Sequence, residues 1–243
     1  MKILVIGESC QDVFEYGVSD RLCPEAPVPV FNPTKTVKNG GMAMNVYRNL
    51  EALGVATEMI TNNNWKKITK TRFVDFKTNH MFMRLDNNDE DYGRCDLNLV
   101  DFAKYDAVII SDYNKGYISE QDIKEISLSH NLTFLDTKKI LGSWAEDISF
   151  IKINDYEFKR TLHNLTSKLI DKLIVTMGPD GCMYHDSIFP VPKVEIKDSS
   201  GAGDTFISAL AFKFVQTGKI HESIAFANSC ATYVVQKRGV NTV

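Results

Sequence analysis

The sequence predicts an α/β protein whose central sheet is mostly parallel and flanked by helices, and three observations predict it. Short apolar runs of strand length alternate with longer stretches that carry helical spacing. The strand-length runs are apolar throughout, which suits strands buried on both faces of a sheet. Polar clusters follow one such run after another, as a site along the C-terminal edge of a parallel sheet requires.

The elements follow in order. Ile3–Ile6 is the first strand, and Gly7-Glu8-Ser9-Cys10-Gln11-Asp12 reads as the loop after it. That loop keeps only the first glycine of a GxGxxG pattern, so a dinucleotide site is excluded. Arg21–Lys38 holds Pro24, Pro27, Pro29 and Pro33, four of the seven prolines, interleaved with Val28, Val30 and Phe31. Proline cannot donate to a central ladder, so edge strands or a small outlying sheet are expected. Met42–Leu53 has helical spacing behind the pair Gly40-Gly41, with Asn45 in its first turn. Lys70–Arg84, with Phe73, Phe76, Met81 and Met83, reads as further strands that end in the polar turn Asp86–Gly93. The acidic residues of that turn lack the glycine and glutamate spacing of a calcium loop, and a solvated turn is expected. Strands are then expected at Ala107–Ile110, Thr133–Leu135, Ile148–Ile153 and Leu173–Thr176, and helices at Glu120–Ser129, Thr205–Gln216 and Ser223–Val235. Residues 1–243 are read as one domain, with a small β lid built from about 12–38 and 70–92.

Composition removes several function classes. The net charge is −3 and the pI about 6.0, without the basic excess of a general nucleic-acid binder. Unbroken apolar runs such as Ile3–Ile6 reach only four residues, far from the roughly 20 of a membrane span. The opening MKILVIGES has no core long enough for an export signal. The five cysteines show no CxxC spacing and the five histidines no i, i+4 pair, so neither a disulfide framework nor a zinc site is expected. A cytoplasmic protein with reduced thiols is the expectation.

Asp198-Ser-Ser-Gly-Ala-Gly-Asp-Thr205 is the most informative stretch, because a helix-like run follows it at once. Gly201 and Gly203 leave backbone N–H groups uncovered where a helix begins, a place that attracts phosphate oxygens. Asp204 stands beside the same anion, where a carboxylate has one good use, abstraction of a hydroxyl proton. The same pattern also serves as an N-cap. Ser111-Asp112-Tyr-Asn-Lys115-Gly116, Asn154-Asp-Tyr-Glu157 and Thr176-Met-Gly178-Pro-Asp-Gly181 each follow a strand, and each alone is compatible with a plain turn.

These residues resemble the ribokinase-like (PfkB) carbohydrate kinases, which carry Gly-Gly…Asn near the N-terminus and GAGD near the C-terminus. Both occur here, as Gly40-Gly41…Asn45 and Gly201-Ala202-Gly203-Asp204. Within that family the chain is similar to the kinase half of the heptose-phosphate kinase/adenylyltransferases of lipopolysaccharide synthesis. That similarity rests on Arg21-Leu-Cys-Pro-Glu-Ala-Pro-Val-Pro-Val30, Arg84-Leu-Asp86, Ser111–Gly116, Ala227-Asn228 and the tail Gly239–Val243. The chain reads as shorter than the family pattern after Ile60, and a kinase half without a nucleotidyltransferase segment is the expectation.

The resemblance implies a three-layer ribokinase-like fold, with ATP and Mg²⁺ as cofactors and a monovalent cation left open. Asp204 is implied as the base, and Gly201, Ala202 and Gly203 as the anion hole. Asp12, Gly40, Gly41 and Asn45 are implied as sugar ligands, with Asp112 beside them. Arg84 and Lys115 are expected to take a phosphate carried by the sugar, or else to be solvated charges. Asn154, Glu157, Thr176, Gly178, Gly181 and Asn228 are implied at the nucleotide, with Glu157 reaching Mg²⁺ through water. The implied reaction is phosphorylation of the anomeric hydroxyl of a heptose 7-phosphate. The alternatives are another sugar, or a sugar-phosphate or nucleotide binder without turnover. The partners are the small-molecule sugar phosphate and ATP, with no nucleic acid or membrane. A homodimer through the lid is expected, because so small a sheet is marginal alone.

Overall fold

Six strands run parallel in the main sheet of the computed structural model, which describes residues 1–243. In spatial order they are β4 (Ala56–Ile60), β1 (Lys2–Gly7), β7 (Ala107–Asp112), β8 (Thr133–Thr137), β9 (Phe150–Asn154) and β10 (Leu173–Thr176). The short strands β11 (Cys182–Tyr184) and β12 (Ser187–Phe189) extend the sheet antiparallel beyond β10.

Side-chain alternation along β1 sends Ile3 and Val5 to one face and Leu4 and Ile6 to the other. The first face packs under α1 (Ala43–Ala52), α5 (Ala202–Thr217) and α6 (Ile220–Val234), where Val46, Leu50, Phe206, Leu210 and Ile224 complete one core. The second face meets α2 (Glu120–Ser129) through Ile123 and Ile126 and α4 (Ser167–Ile170) through Leu169, with α3 (Asp155–Thr161) following β9. Both sides of each central strand are therefore buried. That is why these runs carry no polar alternation.

A second sheet stands off the first, in the order β3 (Asn32–Met42), β2 (Ser9–Val18), β5 (Thr69–Asp75) and β6 (Met81–Asn87). Several expectations are corrected here. Ser9–Asp12 is not a loop: β2 begins two residues after β1 ends, and Asp12 lies inside it, opposite Asn39 and Lys70. The proline segment contributes no strand at Val28, Val30 or Phe31. Only an isolated bridge joins Leu22 to Pro29, and of the four prolines only Pro33 lies in a strand. Phe76 falls one residue past β5. Gly40 and Gly41 end β3 rather than opening a helix turn, and Met42 makes the switch to α1 with φ 61.

The acidic run is a mostly exposed turn, as expected, but one of its carboxylates is engaged. Asp89 accepts from Lys70 of β5 at 2.6 Å, from Lys115 of the β7 loop at 2.5 Å and from the buried Tyr92 hydroxyl at 2.5 Å. Burial works to raise its pKa, but these three donors and the nearby ammonium charge hold it at about 2. One carboxylate thus ties the lid sheet to the main domain. No helix in the molecule is long and apolar enough to cross a membrane.

Candidate active site

The site grows from the start of α5. Gly201 adopts φ +80, a left-handed conformation that glycine takes without strain, and no side chain caps the helix after it. Asp204 sits in this first turn, 5% exposed. Asn45 of α1 donates its amide to Oδ2 at 2.9 Å, and the Tyr113 hydroxyl donates to Oδ1 at 2.7 Å. Burial pushes the Asp204 carboxyl up to about 6, against the lowering effect of these two donors. An ordinary exposed cap has no reason to be raised this way. A carboxylate held near neutrality by desolvation is poised to take up a proton.

Helix α1 is fixed against α5 by a polar seam in the core. Thr205 donates to Asn49 Oδ1 at 3.1 Å, and the Asn49 amide donates to the Asn45 carbonyl at 2.9 Å. Gly41 lies at the start of that unit because nothing larger fits: a Cβ there would stand 2.2 Å from Asp12 Oδ2.

Asp204, Gly201 and Gly203 line a cleft of about 420 Å³ together with Tyr113, Asp136, Lys138, Lys152, Asn154, Thr176 and Gly178. Two of its lysines come from the ends of neighbouring strands. Lys152 of β9, 3% exposed, donates to Asp136 Oδ2 at 2.8 Å and lies 2.8 Å from where a Cβ on Gly203 would be. Lys138 pairs with Glu157 at 2.5 Å and stands 3.8 Å from Asp136 Oδ1. Burial opposes the ionised form of Asp136, but Lys152 and Lys138 outweigh it and lower its pKa. Lys138 is in turn raised, its burial overcome by Asp136 and Glu157. Asp136 Oδ1 is buried without a hydrogen-bond partner, an acceptor left open at the cleft.

A larger cavity of about 710 Å³ adjoins the cleft, sharing Thr176, Gly178 and Gly203 with it. Val191, Val194, Ile196, Phe206 and Val235 make its walls apolar, and Gly181, Asn228 and Ala202 also face it. An apolar chamber opening onto an anion-attracting helix end has the shape needed by a flat ring carrying a phosphate chain.

The predicted residues therefore divide. Gly201, Ala202, Gly203, Asp204, Asn154, Thr176, Gly178, Gly181 and Asn228 come together along these two cavities. Asn45 joins them through Asp204. Others are engaged elsewhere. Asp12 binds Arg72 at 2.5 Å within the lid. Asp112 is buried beneath Lys139, 2.7 Å away, and Thr137, so it braces the loop rather than facing solvent. Arg84 forks onto Asp86 at 2.7 and 2.6 Å, and Lys115 is held by Asp89. Asn154 and Glu157 form the reciprocal capping box of α3, with Glu157 7% exposed.

Six residues that line the cleft were given no role from sequence: Tyr113, Asp136, Lys138, Lys152, Asp155 and Tyr156. Lys152 was legible, since a lysine between Ile151 and Ile153 interrupts an otherwise apolar buried strand. Tyr113, Asp155 and Tyr156 lie inside polar clusters read from the sequence, while Asp136 and Lys138 carry no signal until β8 is set beside β9. No group of three acidic, histidine or cysteine side chains could hold a metal ion by itself. The donors near the cleft are hard oxygens suited to Mg²⁺, which commonly rides on substrate phosphates with one or two carboxylates and several waters. Glu157, the acid expected there, does not line the cleft; its oxygens are held by Lys138 and the Asn154 N–H.

Residues 139–243 match the family described as pfkB family carbohydrate kinase. The Bifunctional protein HldE of Helicobacter pylori strain J99 is 32% identical, covering 98% of this chain and 63% of its own length. The chain thus spans less than two thirds of that relative. The alignment runs over 293 positions, more than the chain's 243 residues, so the relative carries segments that are missing here. Among solved structures, the ribokinase of Thermotoga maritima superposes with a TM-score of 0.70 at 17% identity, covering 98% of this chain and 94% of its own. The Arabidopsis thaliana ribokinase complexed with ribose and ATP superposes at 0.69 with 14% identity, covering 98% and 93%. The fold is ribokinase-like.

Proposed function

We propose that the chain is a carbohydrate kinase of the pfkB family, which its residues 139–243 match, and that it moves the γ-phosphoryl group of ATP to the anomeric hydroxyl of a heptose 7-phosphate. One observation carries the reaction type: a buried carboxylate, Asp204, held by two donors in the uncapped first turn of α5, on the wall of a cleft shared with a large apolar cavity. The sugar class is supported by the lid and loop motifs that resemble heptose-phosphate kinases and by the similarity to HldE.

In this mechanism ATP places its ring in the cavity near Asn228 and Gly181, and its phosphates run past Thr176 and Gly178 toward the α5 terminus. Asp204 accepts the proton of the sugar hydroxyl as that oxygen attacks the γ-phosphorus in line and ADP departs. The amides of Gly203 and Asp204, with Lys152 and Lys138, face the charge on the transferring group. Glu157 and Asn154 would orient the water shell of a bound Mg²⁺, which would supply neutralisation of phosphate charge. Asp12, Gly41 and Asn45 hold the sugar, and Arg84 and Lys115 its phosphate after exchange from Asp86 and Asp89. A homodimer through the outer face of the lid fits the exposure of Met81, Met83 and Leu85.

The test is an ADP-release assay over a panel of sugar phosphates and their unphosphorylated parents. The parents belong in the panel because Arg84 and Lys115 are already neutralised by acids. Turnover is expected for a heptose 7-phosphate, and Asp204→Asn should lower kcat about 10²–10⁴-fold while still binding ATP. If Asp204→Asn keeps normal kcat, Asp204 is only a helix-terminal residue and the mechanism is wrong.

A further inference from the structure

We propose that Tyr113 is the positioning residue of Asp204, fixing one carboxylate oxygen so that the group faces the acceptor hydroxyl in a single orientation. This rests on the reading of Asp204 as the base. The Ser111–Gly116 loop was singled out by sequence, yet only Asp112 and Lys115 received roles from it.

The loop is held from beneath by Glu8, which is fully buried at the end of β1. Its Oε2 accepts the Tyr113 N–H at 2.9 Å and its Oε1 accepts the Lys115 N–H at 3.0 Å. Asp112 Oδ1 accepts the Asn114 N–H at 3.0 Å, and Asn114 itself turns through φ 56. These three amide bonds pin the backbone from which the Tyr113 ring reaches toward α5. The hydroxyl arrives 2.7 Å from Asp204 Oδ1.

Each oxygen of Asp204 then holds one donor, Tyr113 on Oδ1 and Asn45 on Oδ2. A carboxylate has about four lone-pair sites, so capacity remains for the hydroxyl of a substrate. The phenol never competes for that proton. Burial, followed by the charges of Asp204 and Asp136, drives its own ionisation far above the usual range, so it remains a donor.

The other charged groups about Asp204 are accounted for. Asp136 of β8 disfavours its ionised form and Lys152 of β9 favours it. Lys138 stands 5.6 Å over the Tyr113 ring. Asp12 of β2 acts on Tyr113 more weakly than Asp204 does. Neither lysine donates to Asp204 directly. Tyr113 and Asn45 alone give its carboxylate side-chain hydrogen bonds.

Tyr113→Phe keeps the ring and its packing and removes only this donor. The experiment follows the ¹³C carboxyl resonance of Asp204 through a pH titration of the whole protein without substrate, with Asp204→Asn for assignment. Tyr113→Phe should raise the midpoint by about one pH unit, a roughly tenfold tighter hold on the proton. The acid limb of kcat should move by the same amount. As a counterpart, 3,5-difluorotyrosine placed at position 113 makes a stronger donor and should lower the midpoint; it also serves if Tyr113→Phe fails to fold. A midpoint that stays put in both proteins overturns the role of Tyr113, whatever the activity. Midpoints that move while Asp204→Asn keeps its kcat uphold the contact and remove the reading of Asp204 as base.

Discussion

The lid strands, 7 to 11 residues long, outreach the main-sheet strands of 3 to 6, yet the longer strands are the less buried and different forces hold the two sheets. In the main sheet both faces are apolar, and residues such as Ile3, Val108 and Phe134 are wholly buried. In the lid, Asp12 pairs with Arg72 and Lys70 with Asp86 and Asp89, while every residue of β6 is exposed. Hydrophobic burial runs through the central strands of the first sheet, whereas the second has a smaller apolar set, Val13, Phe14 and Val74, supplemented by ion pairs at a few points. The proposed base, Asp204, and Lys115 of the β7 loop belong to the first region, and Arg84 of β6 to the second. On the proposed reading, rigid placement of the reacting group and adaptable capture of the sugar phosphate are left to different physical devices.

The widest gap between the regions should appear on truncating their side chains. Phe134 packs between Phe150, at a centroid distance of 5.5 Å, and Phe214 at 6.0 Å. Phe134→Ala should cost about 3–5 kcal/mol in urea unfolding. A loss under about 1 kcal/mol would mean that the main sheet is not held by packing.

Asp89→Ala leaves Lys70 buried with one weaker partner, Asp86 at 3.4 Å, and frees Lys115. A buried group stripped of its partner costs about 1–3 kcal/mol. Amides of β5 and β6 should exchange with deuterium about ten- to a hundredfold faster, while those of β7–β9 keep their protection. Uniform acceleration across both sheets would abolish the distinction.

Acid separates the regions without mutation. The Asp204 carboxyl is raised to about 6, so its ionised form is disfavoured in the fold, and protonation on acidification adds stability rather than removing it. Asp89 is depressed to about 2, and its contribution persists above the ordinary carboxylate range and is lost only as pH falls through about 2. Between pH 6 and 5 kcat should fall about fivefold, with no loosening of the lid by hydrogen exchange. Loss of lid protection in step with activity would show that one group controls both.

The smallest effect on the monomer is expected on the outer lid. Leu85 is 43% exposed, and Leu85→Ser should change unfolding free energy by no more than about 0.5 kcal/mol. Light scattering should show a dimer for the parent protein and a monomer for this variant. A parent that is already monomeric at micromolar concentration removes the lid dimer.

Much of the architecture was legible along the chain, because strand and helix periodicity are local. Ile3–Ile6, Ala107–Ile110 and Glu120–Ser129 lie within elements of the expected kind, and the glycines before Asp204 do open a helix. The lid was legible only as strands of an outlying sheet. Its pairing escaped because Asp12 reads equally as loop or strand until Lys70 is set opposite it.

What the sequence determined by itself, then, is the alternation of buried strands and amphipathic helices and the presence of a phosphate-attracting helix end with an acid in its first turn. What only the tertiary structure decided is which groups meet that acid. Asn45 and Tyr113 reach Asp204 across 159 and 91 residues, and Lys152 finds Asp136 because β8 and β9 are neighbours in register. Hydrogen bonds and ion pairs depend on ångström distances between side chains. Those distances are set by the order and register of strands, which no local pattern records.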